Sequence, residues 1–438
     1  MIDSQDNEFF IPFQDFLGHV EHASYENFSS NAVTHSGAFE EMRSHIKYMY
    51  AGVTAENVTS FWVGGLHVDC IAIQEQPTVF HFGIERIEKP PAPGVMPMGS
   101  KENRTTRFSH HAAHSMLKQG LTDKFGNAIS CPDHTIPMSR LTLEKLTKSA
   151  TLRDFLRKPR TRKRSDSKNR PRAQTDEPDN LRLYAIAGLM TPNLGGNSVI
   201  ELWNPAAELS MSQQWYINGD ESIEGGWMVQ PEHFHTTASV LFVHWTPDDY
   251  VTGCFNLECP GFVQVYNTWV LGTELWTSYS TEIAQWAFGM QWQLYDGHWW
   301  LYMSASAEAG TFEAVGYYPA SIFPGGQLPV NAVSMEVGGE VGRNVNGGVD
   351  WPAMGSGALS SAGITEAAFQ RSVWYLPQNP GSQNLVDGEG LWMNMVPLQV
   401  DRPCYSLGIS NHPDGISWGN YILYGGPGGS IATCGQGT

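Results

Sequence analysis

Beyond Ala173 the sequence has no lysine, and its only basic residues there are Arg182, Arg343, Arg371 and Arg402. The same segment has 25 Asp and Glu, a balance of 4 − 25 = −21, against 22 − 19 = +3 for the residues up to Ala173. Phosphate contacts need Lys and Arg, so this acidic part argues against a nucleic-acid partner. Protonating carboxylates would relieve its self-repulsion, which points to work at low pH. Long apolar runs are also missing, so no membrane-spanning helix is expected. The start, Met1-Ile-Asp-Ser-Gln-Asp, lacks a basic segment followed by an apolar one, and no signal peptide is visible. There is no Cys-x-x-Cys pair or Cys/His array for zinc, and neither metal nor cofactor is expected. His233-Phe-His235 is too isolated for a metal site, and its histidines are expected in a solvent-facing turn. No Gly-x-Ser-x-Gly elbow supports a serine hydrolase.

The sequence is rich in turn formers and aromatics: 45 Gly, 26 Pro and 12% Phe, Trp and Tyr among 438 residues. That composition favours strands joined by turns, and the length allows two or three domains. The six cysteines fit three local disulfides, Cys70–Cys131, Cys254–Cys259 and Cys404–Cys434, and hence an oxidising compartment. The alternative is six reduced core cysteines. Sequons at Asn27, Asn57 and Asn103 agree with secretion, extracellular or vacuolar.

Residues 1 to about 45 are polar with apolar clusters and suggest no firm element. From Tyr48 to Gly83 the pattern is strand-like, with a hairpin turning at Gly64-Gly65. Ile129 to Pro137 is a short extended piece, and Thr142 caps a helix with Leu143, Leu146 and Ala150 on one face. From Arg153 to Arg172 half of the residues are Lys or Arg. Such a run, with Ser and Pro and little apolar content, is a linker. It could be a processing site for proteases that cut after dibasic residues, a nuclear localisation signal or a nucleic-acid arm. The disulfide argument favours the first. Past Leu181 short alternating runs follow one another, with Asp296-Gly297 the strongest hairpin signal and no helix expected before Thr365. The expected architecture is all-β, an antiparallel two-sheet sandwich over 181–438. It is preceded by a small α+β domain over 1–145 and a basic linker over 146–180.

One stretch organises the site. In Ser222-Ile-Glu-Gly-Gly-Trp-Met-Val-Gln-Pro-Glu232 an extended chain puts Glu224, Gly226, Met228 and Gln230 on one face, and Trp227 and Val229 on the other. A carboxylate on an apolar strand face is costly to bury without a partner, and the adjacent glycine lets another backbone lie close. Ser334-Met-Glu-Val-Gly-Gly-Glu-Val341 has similar features, so Glu224 and Glu340 are predicted to meet across one cleft. Two carboxylates in one cleft cannot both ionise cheaply, so the pair would hold one proton and serve as acid and base. Gln213, alternating with Met211, Trp215 and Ile217, is either a donor to the oxyanion or a satisfied core amide. Trp227, Tyr317 and Tyr318 are candidate walls of a substrate pocket, or core. A Glu pair in a Trp-rich groove also describes a glycoside hydrolase, and a carbohydrate-binding sandwich is the non-catalytic alternative.

At Glu224-Gly-Gly-Trp-Met-Val-Gln-Pro-Glu232 the chain resembles the neprosin family of glutamic peptidases, secreted enzymes that cleave after proline. The resemblance continues in order through Ser210-Met-Ser-Gln-Gln-Trp215, Gly253-Cys-Phe-Asn-Leu-Glu-Cys259 with Gly261-Phe-Val-Gln264, and Met335-Glu-Val-Gly-Gly-Glu340. Met354-Gly-Ser-Gly357 and Tyr424-Gly-Gly-Pro-Gly428 with Cys434 follow. Asp69-Cys-Ile-Ala-Ile-Gln with Gln76-Pro, and Cys131-Pro-Asp-His-Thr-Ile-Pro, resemble the family's activation domain. The resemblance implies catalytic carboxylates at Glu224 and Glu340, a sandwich fold, protein or peptide substrates, and synthesis as a zymogen partnered by its own N-terminal domain. A monomer is expected. The long basic linker departs from a short self-cleaved activation segment and leaves the route of activation open.

Overall fold

The structure, a computed structural model, describes residues 10–63, 66–97, 121–122, 128–158, 180–274, 279–281, 283–305, 312–344, 350–379, 388–401, 403–411 and 418–435. Its N-terminal part begins with two helices, α1 (Phe13–His22) and α2 (Ser36–Met49). Phe13, Phe16 and Val20 on the first, and Phe39, Met42, Ile46 and Met49 on the second, recur at helical spacing and are buried. This spacing lay in the stretch to which the sequence assigned no element. Beside the helices is a three-stranded antiparallel sheet, β1 (Thr59–Val63), β2 (Leu66–Ala72) and β5 (Thr135–Ser139), with β2 central. Val63 pairs with Leu66 as a tight hairpin requires, while residues 64–65 lie outside the described residues. A two-stranded pair, β3 (Leu121–Thr122) with β4 (Ala128–Ile129), precedes β5. The buried Arg140 guanidinium grips Asp69 of β2 bidentately, at 2.8 Å from Nε and 2.6 Å from Nη2.

Two expectations for this region need correcting. Pro77–Phe82 is a short helix, α3, not extended chain. Proline fits its first turn, where a missing N–H costs nothing, and Gly83 closes it in the left-handed conformation at φ 60°. The Thr142 cap is present, its side chain accepting from Lys145 N at 3.3 Å, but the helix, α4 (Leu143–Leu146), stops after one turn. A second short helix, α5 (Leu152–Leu156), follows with Phe155 buried. Residues 146–158, read from sequence as linker, are therefore packed chain. Residues 159–179, which hold most of the basic run, lie outside the described residues.

From residue 180 on, two antiparallel sheets stack. The first has the order β11 (Cys254–Phe255), β10 (Val240–Thr246), β9 (Glu221–Val229), β8 (Leu209–Asn218), β16 (Ser334–Asn344), β6 (Asn180–Leu189), β19 (Val396–Val400). The second has the order β12 (Val263–Gln264), β15 (Glu313–Tyr318), β14 (His298–Ser304), β13 (Ala287–Tyr295), β7 (Asn193–Glu201), β17 (Ala368–Pro377), β21 (Tyr421–Gly425), β20 (Ser406–Ser410). A further two-residue strand, β18 (Leu391–Trp392), pairs with β17. The Asp296-Gly297 hairpin joins β13 to β14, with Tyr295 paired to His298 and both turn residues at positive φ. Among the described residues an α-helical turn, α6 (Pro231–Phe234) after β9, and 3-10 turns at Ala320–Ile322 and Ser360–Ala362 break the all-strand expectation before Thr365.

The sheets meet through alternate residues. Trp227 and Ile223 point from β9 into the space between them, and a Cβ on Gly225 would lie 3.1 Å from Met290 of β13. A buried polar ladder ties the layers: Gln214 donates to Ser198 Oγ (2.7 Å) and the Met290 carbonyl (2.9 Å), and Gln370 donates to Ser212 Oγ (3.0 Å) and the Gln213 carbonyl (3.1 Å). These amides would be costly to bury unpaired, so they fix β8 in register beneath the opposite face of its sheet. All three disulfides, Cys70–Cys131, Cys254–Cys259 and Cys404–Cys434, are formed as the spacing predicts.

Candidate active site

The outer face of the first sheet carries the polar residues that the strand alternation selects. Registers Gln213↔Gly226, Trp215↔Glu224, Gln213↔Gly338 and Met211↔Glu340 put Glu224, Gln213 and Glu340 on one face across β9, β8 and β16. Glycine is required at the crossing: a Cβ on Gly226 would collide with the Ser212 carbonyl oxygen, and one on Gly338 with that of Ala185. β9 can approach β8, and β16 can approach β6, only because these positions are bare. His244 of β10 lies opposite Glu224, and Arg182 of β6 lies opposite Gly342.

Glu224 and Glu340 are both buried and converge on a single cation. Lys158 Nζ is 2.6 Å from Glu224 Oε2 and 3.1 Å from Glu340 Oε2. Its side chain is only 4% exposed. This lysine closes the segment that follows α5, so the N-terminal part of the chain reaches into the pair. Gln213 Nε2 donates to Glu340 Oε2 at 2.8 Å, and the Tyr250 hydroxyl donates to Glu224 Oε1 at 2.5 Å. Arg182 Nη1 stands 3.7 Å from Glu340 Oε1, and His244 Nδ1 stands 3.8 Å from Glu224 Oε1. Burial, helped by the Lys158 ammonium, pushes the His244 imidazole well below its ordinary range, so it is neutral here. Among the described residues the charged set is two carboxylates and two cations, Lys158 and Arg182. Two buried acids side by side are sustainable because that sum is zero.

Sequence reasoning placed Glu224, Glu340 and Gln213 together, and the structure brings them together. Lys158, Tyr250, Arg182 and His244 were not singled out. Lys158 was one of ten basic residues in twenty, and nothing in its neighbours marks it. Tyr250 arrives from a loop, and Arg182 and His244 through strand register that no single sequence displays. The three proposed pocket walls are corrected. Trp227 faces the inter-sheet core and donates Nε1 to the Glu201 carbonyl at 2.7 Å. Tyr318 is buried between the sheets, stacked on Trp292 at 5.7 Å. Tyr317 is buried on the far sheet in a cluster with Trp300 and Val79. None of the three lines the cleft.

The covering segment is held along a broad front. Gln76 donates to the Gln264 carbonyl (2.9 Å) and accepts from its N–H (2.8 Å), so a side chain reads β12 as a strand would. Thr78 Oγ1 donates to the Phe262 carbonyl and accepts from Gly261 N, both at 2.8 Å. Lys145 Nζ lies 2.6 Å from Glu258 Oε1, whose other oxygen meets His233 Nε2 at 2.8 Å. Phe155 stacks on His233 at 4.7 Å, and Lys148 Nζ is 2.5 Å from His235 Nδ1. His233 and His235, expected in a solvent-facing turn, instead form part of this contact because α6 presents them to it. Among the described residues no cluster of His, Cys, Asp and Glu could hold a metal ion, and no helix is long and apolar enough to cross a membrane.

Against known proteins, the family model described as Neprosin matches residues 206–427, just over half of the chain. Among solved structures, Scytalido-glutamic peptidase with a peptide-based transition state analog matches at TM-score 0.29 and 9% identity, over 57% of this chain and 98% of that one. The same enzyme with a transition state analog inhibitor gives TM-score 0.30 and 10% identity, over 56% and 98%. A functionally unknown protein from Saccharomyces cerevisiae gives TM-score 0.20 and 10% identity, over 38% and 70%. Scores this low establish neither shared geometry nor shared chemistry.

Proposed function

The chain belongs to the neprosin family, and on that premise we propose that residues 180–435 form a glutamic-type endopeptidase whose acid–base pair is Glu224 and Glu340. The observation that carries this reading is the convergence of two buried carboxylates on one face of a strand sheet, bridged by a single ammonium from a separate part of the chain. With Lys158 withdrawn, one proton can take the place of its charge. The ionised carboxylate then removes a proton from water, which attacks the scissile carbonyl, while the protonated one donates to the carbonyl oxygen. Gln213, already within hydrogen-bond reach of Glu340, is placed to donate to the developing oxyanion.

The uncut chain, on this reading, is a zymogen that its N-terminal domain keeps closed. Acid favours opening, because protons neutralise the carboxylates that Lys158 and Lys145 hold. A secreted enzyme working after proline at low pH follows from the family premise. With Trp227, Tyr317 and Tyr318 in the core, the pocket for that proline is not built from them. Mass spectrometry of a digested proteome should place cuts after proline, and cuts spread over other residues would remove only that part of the proposal.

Glu224→Gln and Glu340→Gln each keep size and hydrogen bonding while removing an ionisable group. Each should lower peptide cleavage at acidic pH by about a thousandfold or more, the scale on which lost acid–base groups act. Far-UV circular dichroism of the two released variants should match wild type, since Lys158 is no longer there to be left unpaired. Near wild-type cleavage by either variant would show that the pair is not catalytic.

A further inference from the structure

The same site shows an asymmetry that assigns the two carboxylates different tasks. We infer that Arg182 is a positioning residue that keeps the charge on Glu340, making Glu340 the base and Glu224 the proton donor. This inference rests on the peptidase reading of the pair.

Four observations carry it. Arg182 lies inside the sheet on β6, not on the covering segment, so it stays when Lys158 leaves. Its guanidinium is 3% exposed and 3.7 Å from Glu340 Oε1. Nε and Nη1 of Arg182 and Oε1 of Glu340 have no hydrogen-bond partner among the described residues, so nothing there competes with their attraction. Space for the guanidinium comes from Gly342, where a Cβ would lie 2.7 Å from Arg182 Nη1.

The groups facing the pair can be taken element by element. β8 contributes the neutral amide of Gln213, and β10 contributes His244, whose imidazole burial and the Lys158 ammonium push well below its ordinary range in the closed chain. The loop after β10 contributes the Tyr250 hydroxyl, a donor to Glu224, and the covering segment contributes Lys158. Once that segment is gone, Arg182 is the cation among these groups that does not titrate, and it belongs to the sheet itself. Two carboxylates and one guanidinium sum to −1, and a single proton restores neutrality. At under 4 Å the guanidinium favours a charged neighbour, so the proton settles on the carboxylate away from it, Glu224. Tyr250 then holds that carboxyl in place.

The reaction balances with those roles. Water gives a proton to Glu340 as its oxygen bonds to the carbonyl carbon, and the carbonyl oxygen takes the proton of Glu224. The C–N bond then breaks as nitrogen takes the proton from Glu340, and one hydroxyl of the intermediate returns a proton to Glu224. Both carboxyls end as they began.

The test is the pH profile of kcat/KM for the released enzyme, from about pH 2.5 to about pH 6, in wild type, Arg182→Lys, Arg182→Met and Gly342→Ala. Arg182→Met should move the acidic limb up by about one pH unit, so activity near pH 3 falls about tenfold while the alkaline end changes far less. Arg182→Lys should keep the limb near wild type. Gly342→Ala, which displaces the guanidinium without removing it, should move the limb in the same direction as Arg182→Met and serves where that variant does not fold. An unmoved limb, or an equal loss at every pH, overturns the role of Arg182. That outcome is distinct from failure of the peptidase reading, in which Glu224→Gln or Glu340→Gln would stay active.

Discussion

Lys158 is the described side chain that touches both glutamates, and its removal has a direction that can be worked out. Taking one partner from a buried ion cluster costs about 3–5 kcal/mol, because the remaining charges lose their compensation. In Lys158→Met that cost falls on the covered form, where Glu224 and Glu340 would face Arg182 alone. In a chain nicked within the basic linker, the midpoint pH at which the N-terminal piece leaves should therefore rise toward neutrality. Size-exclusion chromatography across pH reads this directly, and an unmoved midpoint would mean that Lys158 does not hold the cover. The glutamates themselves were legible in sequence because a lone carboxylate among apolar alternating residues has a physical price attached to it. Trp227 shows the opposite case. The alternation that put Glu224 on one face already put Trp227 on the other, and its aromatic character outweighed that geometry in the reading.

At the scale of elements, the motifs that carried the family resemblance turn out to touch. Gln76 from the N-terminal domain meets Gln264 on β12 and Thr78 meets Gly261 and Phe262 just before it, and Cys131 exchanges hydrogen bonds with Asn267 at 3.2 and 3.0 Å. Neither motif reveals its partner in sequence, since the contact depends on the packing of two domains. Strands and hairpins were legible from period-two alternation and turn residues, whereas α3 and α6 are too short for a helical period to register. The contact around α6 also has a pH dependence with a definite sign. Burial, with Lys148 and Lys145 nearby, pushes His235 down to about 4. A histidine freed into water takes up its proton near its ordinary value of 6.5. Between those values the separated form binds more protons than the docked form, so docking weakens as pH falls through that window. For Glu258 burial alone would raise the carboxyl, but His233 and Lys145 outweigh it and hold the group at about 2; only the Lys145 share is lost on separation, so this contact loosens only as pH falls toward 2. Both groups favour opening in acid, His235 first. His235→Gln, which keeps a polar side chain without the titration, should shift release to lower pH, and release at the wild-type midpoint would remove His235 from the switch.

Taken whole, the molecule divides its charge between its N-terminal part and its two-sheet part. Nearly all lysine and arginine lies before residue 174, and the two-sheet domain, from residue 180 on, holds 22 acids against four arginines. Lys145 and Lys158 bring that asymmetry to the contact, while Gln76 and Thr78 add hydrogen bonds that no proton can break. The cover should therefore stay docked at neutral pH after the chain is cut, and leave only when acid removes the ionic part. Lys145 and Lys158 of the near-neutral part meet Glu258, Glu224 and Glu340 of the acidic part. What the sequence could not show is that the ordered cover extends to Lys158, because a basic run looks the same whether it is solvated or inserted in a cleft.

The most direct measurement is peptide cleavage by the chain before and after a cut between Arg160 and Arg172. The account predicts two pieces that remain associated and inactive near pH 7, then separate and cleave peptides when brought to about pH 4, with no cleavage from the Glu340→Gln chain under either condition. Full activity at about pH 4 from a chain that remains uncut and closed over Lys158 would contradict it.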